Sequence, residues 1–209
     1  WYRTQLTQLQ VRILTNQRLS PKNVAELDAD VLILATGAVA ASPLPTAEGP
    51  NAISVIDPWQ AITDCPKGRH ILINDEGGGR TALSAADALL DQNQITLVTA
   101  EYAIGELVTP TVRAPIYKRF LSGRAEMYPS QVIHSIKGST VTLRSVHTYD
   151  ETYIKDVDIV VDWRGGVAET TLQSAVESIG ITHFIIGDCV APRQVNIAIA
   201  EGAMAARAI

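Results

Sequence analysis

The chain has 209 residues, 46% apolar and 19% charged, with a formal net charge of −5. That is enough apolar material for one large domain or two modest ones. The acidic balance, with no Lys/Arg cluster, argues against nucleic acid and against an anionic membrane as partners. No apolar stretch approaches the ~18–20 residues of a membrane span, and no signal peptide opens the sequence.

The two cysteines, Cys65 and Cys189, lie far apart with no CxxC neighbour. They make neither a disulfide framework nor a redox pair nor a metal set, so a reducing, cytoplasmic setting is the default expectation. His70, His134, His147 and His183 are scattered, none at the i, i+4 spacing that would place two ligands on one helix face. No Ser/His/Asp set or paired acid is suggested by spacing, which sets hydrolysis aside. The first residue is Trp1, followed at once by a helical-looking segment, so the sequence reads as a piece of something longer.

In chain order, Trp1 to Gln10 is expected to be the end of a helix and Val11–Thr15 a short strand. Ser20-Pro21 is a cap followed by Pro at the first helical position, starting a helix through Leu27. Asp30 to Gly37 is a buried strand ending in Ala35-Thr36-Gly37, whose small side chains let a backbone or a ligand approach closely. Pro43, Pro45, Gly49 and Pro50 mark an irregular crossing and candidate linker. Ile53 to Asp64 holds a short strand and a helix from about Pro58, broken by Pro66-Lys67-Gly68.

A new unit opens at His70. Ile71–Asn74 is a strand, Gly77–Gly79 a turn, Thr81–Leu90 an Ala/Leu-rich helix and Ile95–Thr99 the next strand. Gly77-Gly78-Gly79-Arg80-Thr81-Ala82 then fits G-x-G-x-x-A between a strand and a helix, the setting of a dinucleotide site. Two features oppose a working site. Asp75 and Glu76 stand directly before the glycines, where they would repel a pyrophosphate. The acidic residue expected at the second strand's tip is displaced, Glu101 lying two residues beyond Thr99. A live NAD(H) site and a retained fold with an impaired site both stay open.

Thr111 to Leu121 is expected to be helical, with Pro115 near its first turn. Gln131–Ile136, Thr140–Val146 and Thr152–Lys155 form a strand meander, with turns at Gly138-Ser139 and Tyr149-Asp150. The run Asp156 to Gly165 then mirrors Asp28 to Gly37: Asp-x-Asp, an apolar strand, and Gly at the same offset. Such an internal match points to two related nucleotide-binding folds, one inserted in the other. After a helix at Leu172–Ile179, Phe184–Ile186 is a buried strand closed by Gly187 and Asp188. A loop, Cys189–Gln194, leads to a helix with apolar residues at Val195, Ile197, Ala198, Ile199, Ala203, Ala206 and Ile209. Asp188 therefore lies at the carboxyl end of a strand, where open α/β sheets bind ligands, and beside a positive helix end. The plain alternative is that Asp188 caps the helix or orders the loop.

The combination of Asp30–Ala38, an inserted βαβ unit, and Gly187-Asp188-Cys189-Val190-Ala191-Pro192-Arg193 before a helix carrying Glu201-Gly202 resembles a known group. It is similar to the C-terminal nucleotide-binding portion of the old-yellow-enzyme-like flavin oxidoreductases, the group of trimethylamine dehydrogenase, 2,4-dienoyl-CoA reductase and the bacterial N-demethylases. The likeness covers nearly the whole chain and is weakest at Ala38–Lys67. It implies an α/β fold of Rossmann-like three-layer parallel sheets, with two nested nucleotide-binding domains. The outer domain, 1–64 plus 166–209, would bind FAD or ADP, and is incomplete because no strand–GxGxxG–helix precedes Val31. The inserted domain, 65–165, would be the NAD(P)H domain or its degenerate counterpart. By motif, Asp188 would meet the ribitol or pyrophosphate region, Ala35, Thr36 and Gly37 would line the nucleotide path, and Gly187, Val195 and Asn196 would complete that site. Gly77, Gly79 and Glu101 are the candidate contacts in the inserted domain.

The resemblance further implies an N-terminal (β/α)₈ barrel carrying FMN and a 4Fe-4S cluster as the partner domain and the seat of catalysis. The expected function is the nucleotide-binding segment of a flavin-dependent oxidoreductase of the amine dehydrogenase, demethylase or NAD(P)H:enoyl reductase type, inactive by itself, with a homo-oligomer among its expected partners. The alternative is a non-catalytic Rossmann-like packing module with degenerate sites. The disulfide reductases are disfavoured, since no CxxC exists to accept electrons.

Overall fold

The computed structural model describes residues 1–24, 26–41, 44, 52–123 and 125–209. The chain divides into two compact units: Trp1–Ala38 with Ala168–Ile209, and Val39–Val167. Their elements in chain order begin with α1 (Tyr2–Gln8), α2 (Pro21–Val24), β1 (Val31–Leu34), β2 (Ala38–Ala40), β3 (Ser54–Ile56) and α3 (Pro58–Asp64). The middle of the chain forms β4 (His70–Asp75), α4 (Arg80–Leu89), β5 (Gln94–Val98), α5 (Pro110–Gly123), β6 (Ala125–Tyr128), β7 (Gln131–Lys137) and β8 (Thr140–Ser145). It ends with β9 (Glu151–Ile154), β10 (Ile159–Trp163), β11 (Gly166–Ala168), α6 (Gln173–Ile179), β12 (Thr182–Ile185) and α7 (Val195–Ala208).

The Val39–Val167 unit is built on a parallel five-stranded sheet of order β3-β10-β4-β5-β6. Its central strands are apolar on both sides because both faces are covered, as in parallel sheets generally. Ile71, Ile73, Ile95, Leu97 and Val161 point to one face, against Ala61 of α3, Ala82, Leu83, Ala86 and Leu89 of α4, and Phe120 of α5. Leu72, Val98 and Val160 point to the other, against Val141, Leu143 and Ile154 of the antiparallel meander β7-β8-β9. The three layers are thus helices, parallel sheet and meander. Local signals place the helices: Asp57 accepts the Gln60 N–H at 2.9 Å and Pro58 opens α3, while left-handed Cys65 ends it. Segment 39–64, grouped with the outer domain on sequence grounds, sends β3 and α3 into this sheet and its helical layer.

In the other unit β1 and β12 pair in parallel from Val31↔Thr182 to Leu34↔Ile185. A small core of Val24, Leu34, Leu172 and Val176 lies beside them, joined by half-buried Leu32, Ile181 and Ile185.

Several local expectations change. Val11–Thr15 is not a strand: its apolar residues lie exposed, and none of the described strands pairs with it. A strand without a ladder partner leaves its backbone groups to water. Of the helix expected through Leu27, Pro21–Val24 is helical, and Glu26 and Leu27 lie outside it. The proline-rich linker at 43–50 falls outside the described residues apart from Leu44. Three short strands had no sequence expectation. β6 adds the far edge of the parallel sheet, while β2 and β11 pair with each other. The repeated strands do end alike, at left-handed Gly37 (φ 77°) and Gly165 (φ 86°). Gly37 C=O accepts the Glu169 N–H and Gly165 C=O accepts the Ala41 N–H.

Candidate functional site

Because β1 and β12 are parallel and in register, the segments leaving them, Ala35–Gly37 and Ile186–Asp188, emerge side by side. Ile186 N–H still donates to Leu34 C=O at 2.9 Å, carrying the pairing one step further. Gly187 then turns the chain at φ 72°, a left-handed conformation that a side chain would strain. Asp188 follows in a single 3₁₀ turn, Gly187–Cys189, and its Oδ1 accepts the Arg193 N–H at 3.1 Å. Next comes α7, whose N-cap Gln194 supplies no side-chain hydrogen bond. The helix therefore presents its positive end here without a side-chain cap.

These pieces bound a cleft of about 360 Å³. Of the sequence-nominated residues it brings together Ala35, Gly37, Gly187, Asp188 and Val195. Thr36 spends its hydroxyl elsewhere, donating to the Glu169 carbonyl at 2.7 Å. Asn196 is the second residue of α7. Sequence reasoning assigned no role to Ile186, Arg193 and Ala198, which also line the cleft, or to Glu201. The Glu201 carboxylate accepts the Gly187 N–H at 2.6 Å and pairs with the Arg193 guanidinium at 2.6 Å. The Gly187 amide first, and Arg193 with it, hold this carboxyl below the usual range against a partial desolvation. One side chain of α7 thus fixes both the turn that aims Asp188 and the cation at the cleft wall. The signal was present as Glu201 beside Gly202, but its partner lies fourteen residues away and only the fold shows the pairing.

The second candidate constellation is the glycine turn of the Val39–Val167 unit. Asp75 ends β4, Gly77 to Gly79 make the turn, and Gly79 in extended conformation is the N-cap of α4. A Cβ at Gly77 would lie 3.1 Å from Nε1 of Trp163, so the indole occupies the side-chain space there. Gly78 is left-handed at φ 57°, and the Glu101 side chain packs 3.4 Å from where its Cβ would be. The structure therefore does bring Gly77, Gly79 and Glu101 into one neighbourhood, but with Asp75 beneath them. Asp75 is fully buried. Its Oδ2 accepts the Gly105 N–H at 3.1 Å, and its Oδ1 has no hydrogen-bond partner. Burial pushes its pKa from 3.8 to about 6, outweighing the amides of Gly105, Gly78 and Gly79 that favour the ionised form. At the same sheet end, buried Asp162 accepts from Asn74 Nδ2 at 2.8 Å and from the Leu44 N–H at 2.8 Å, and pairs with Arg164 at 3.1 Å. The fit to a dinucleotide is poor: carboxylates gather where a pyrophosphate would need donors.

Among the described residues no group of three or more His, Cys, Asp and Glu could hold a metal ion, and no helix is long and apolar enough to cross a membrane. Both cysteines are free thiols. Cys65 ends α3, and buried Cys189 donates to the Ile186 carbonyl at 3.0 Å.

Residues 3–202 match the family model described as pyridine nucleotide-disulphide oxidoreductase. No curated protein matches the sequence. Among solved structures, histamine dehydrogenase from Rhizobium sp. 4-9 superposes with a TM-score of 0.80 at 19% identity, over 98% of this chain and 35% of that one. The 6-hydroxypseudooxynicotine amine oxidase from Pseudomonas geniculata N1 gives 0.81 at 24% identity, over 96% and 32%. A 2-naphthoyl-CoA reductase gives 0.80 at 21% identity, over 96% and 30%. At these identities the likeness is one of fold, and the chain spans about a third of the length of each of these three proteins.

Proposed function

The chain belongs to the pyridine nucleotide-disulphide oxidoreductase family, and from that premise we propose that it is the nucleotide-binding segment of a flavin-dependent oxidoreductase. The type proposed is that of the amine dehydrogenases, demethylases and NAD(P)H:enoyl reductases, with FAD or ADP held in the cleft beside Asp188. The observation that carries this reading is the meeting of Ala35, Gly37, Gly187, Asp188 and Val195 in one cleft at the carboxyl ends of two parallel strands. Open α/β sheets bind ligands at such strand ends.

The residues fit a sugar-phosphate ligand. Asp188 is a half-buried acceptor suited to ribitol or ribose hydroxyls, and one of its oxygens is already steadied by the Arg193 amide. The uncapped start of α7 and the Arg193 guanidinium suit the negative charge of a phosphate. Left-handed Gly37 and Gly187 let the backbone come close. A flavin bound there supplies reversible electron acceptance, which none of these side chains can provide.

The family's redox disulfide is not part of the proposal, because Cys65 and Cys189 are both free. Substrate oxidation or reduction is proposed to reside in a barrel domain of a longer chain, holding FMN and a 4Fe-4S cluster. That domain would be the principal partner of this segment, in line with relatives about three times its length.

The test is Asp188→Ala in the full-length protein, with bound FAD or ADP measured after acid release. One lost charge-assisted hydrogen bond should lower nucleotide affinity by about tenfold or more. Undiminished nucleotide content would return Asp188 to a loop-ordering role.

A further inference from the structure

The glycine turn after β4 has the sequence of a pyrophosphate site but a different set of contacts. Segment 101–108 lies over it. Leu107 N–H donates to Gly78 C=O at 2.8 Å, and Gly105 N–H donates to Asp75 Oδ2 at 3.1 Å. Behind these, Tyr117 of α5 donates its hydroxyl to Ile104 C=O at 2.8 Å. Arg113 reaches the carbonyls of Gly105 and Glu106 at 3.3 and 3.4 Å. Ile104 and Val108 are buried in the helix-side core, so the segment is anchored at both ends of the contact. Gly105 is left-handed at φ 62°, and a Cβ there would meet Leu83 of α4 at 3.2 Å, so its backbone fits tightly against the helical layer.

We infer that this turn is closed from within: the Asp75 carboxylate is a resident internal anion that, through the Gly105 amide, clips segment 101–108 over the glycines. The Val39–Val167 unit accordingly takes no pyrophosphate-bearing cofactor at Gly77–Gly79. Three observations converge on this assignment. Asp75 is fully buried at the foot of the turn, with Oδ2 held by the Gly105 N–H of the overlying segment. The amides of Gly105, Gly78 and Gly79 all favour its charged form. Beside Gly78 the Glu101 and Leu107 side chains lie 3.4 and 3.6 Å from where its Cβ would be. A nucleotide would have to displace an internal anion, lift a hydrogen-bonded segment and face Glu101. The inference departs from the NAD(P)H expectation that family membership carries, and it stands apart from the cleft at Asp188.

The experiment is residue-resolved amide NMR on the 209-residue chain, wild type and Asp75→Asn. In wild type, NADH, NADPH and inorganic pyrophosphate should give no saturable shifts at Gly78, Gly79 or Gly105. In Asp75→Asn an amide group replaces the anion. Hydrogen exchange at Gly105 and Leu107 should then rise about fivefold, as expected when the charge-assisted bond from Gly105 becomes a neutral one, while Leu72 and Leu97 in the sheet stay protected. Wild-type binding of any of these ligands below about 1 mM at those glycines would overturn the inference, and that arm needs no variant. So would unchanged exchange at Gly105 and Leu107 in a folded Asp75→Asn protein. Nucleotide binding at Asp188 would shift Gly187 and Val195 instead, so failure of the two assignments is separable.

Discussion

Replacing Asp75 by Asn should remove most of the acid-side stabilisation of the Val39–Val167 unit. The carboxyl is fully buried and its pKa is raised from 3.8 to about 6, chiefly by desolvation. A raised acid binds its proton more tightly in the folded state than in the unfolded one. The stability it contributes is complete below about pH 3.8 and is lost as the pH climbs through about 6. The full span corresponds to about 3 kcal/mol, of which about 1 kcal/mol falls between pH 8 and pH 5. The upper part of the window is the useful one. Glu151, Glu169 and Glu201 have pKa values held below 4.5, so they withdraw stability as acid protonates them and would mask the effect lower down. Urea unfolding at half-unit intervals from pH 5 to 8, followed by tryptophan fluorescence, reads the quantity directly. Trp59 and Trp163 pack edge to face within this unit, while Trp1 is 82% exposed and changes little on unfolding. Wild type should gain about 1 kcal/mol from pH 8 to pH 5, and Asp75→Asn should show little of that slope. Parallel profiles for the two proteins would mean that Asp75 is solvated or already neutral, and the account of the glycine turn would fail with it.

Other substitutions probe separate layers of the same picture. Phe120→Ala removes the largest fully buried side chain between α5 and the sheet, and should cost about 3–5 kcal/mol in urea unfolding. Gly105→Ala forces a Cβ into a left-handed position 3.2 Å from Leu83. It should cost about 1–2 kcal/mol, and Gly105 and Leu107 amides should exchange faster than in wild type. Glu201→Ala leaves the Gly187 amide and Arg193 without their shared acceptor. It should lower nucleotide content in the full-length protein while Glu201→Gln, which can still accept from Gly187, retains more of it. Equal retention by the two variants would remove Glu201 from the positioning role.

Much of the scaffold was legible because it depends on local patterns. Apolar runs such as Ile71–Ile73 and Val160–Val161 are bounded by turn residues, and Ser20-Pro21 and Pro58 mark helix starts. The cleft was legible for a related reason: a strand ending in Gly-Asp and followed by a helix fixes its own geometry within about ten residues. Less visible were features set by distant partners. β2 and β11 are three residues each and exist through pairing with one another across more than a hundred residues. Val11–Thr15 has the composition of a strand and lacks a partner among the described strands, so the ladder decides and propensity does not. Asp75 could be seen to stand before the glycines. That it would be wholly buried, with Gly105 returning to meet it, followed from thirty residues of intervening chain.

Two acids at strand ends therefore take opposite roles, and the order of residues explains why. At β12 the glycine comes first: left-handed Gly187 takes the chain out of the ladder before Asp188, whose carboxylate then sits half-buried in an open cleft beside a helix start. At β4 the acid comes first. Asp75 is still in register with Trp163 of β10, so its side chain follows the sheet into the interior before Gly77 and Gly78 turn the chain. Here the acceptor beyond the end of the ladder lines the cleft, and the one on the last strand residue meets the protein's own Gly105 amide. The two turns differ in the order of glycine and acid, and with it the carboxylate lines a cleft in one and is buried in the other. On that physical ground a glycine-rich turn is informative about cofactor binding only when the residue ending the preceding strand is read with it.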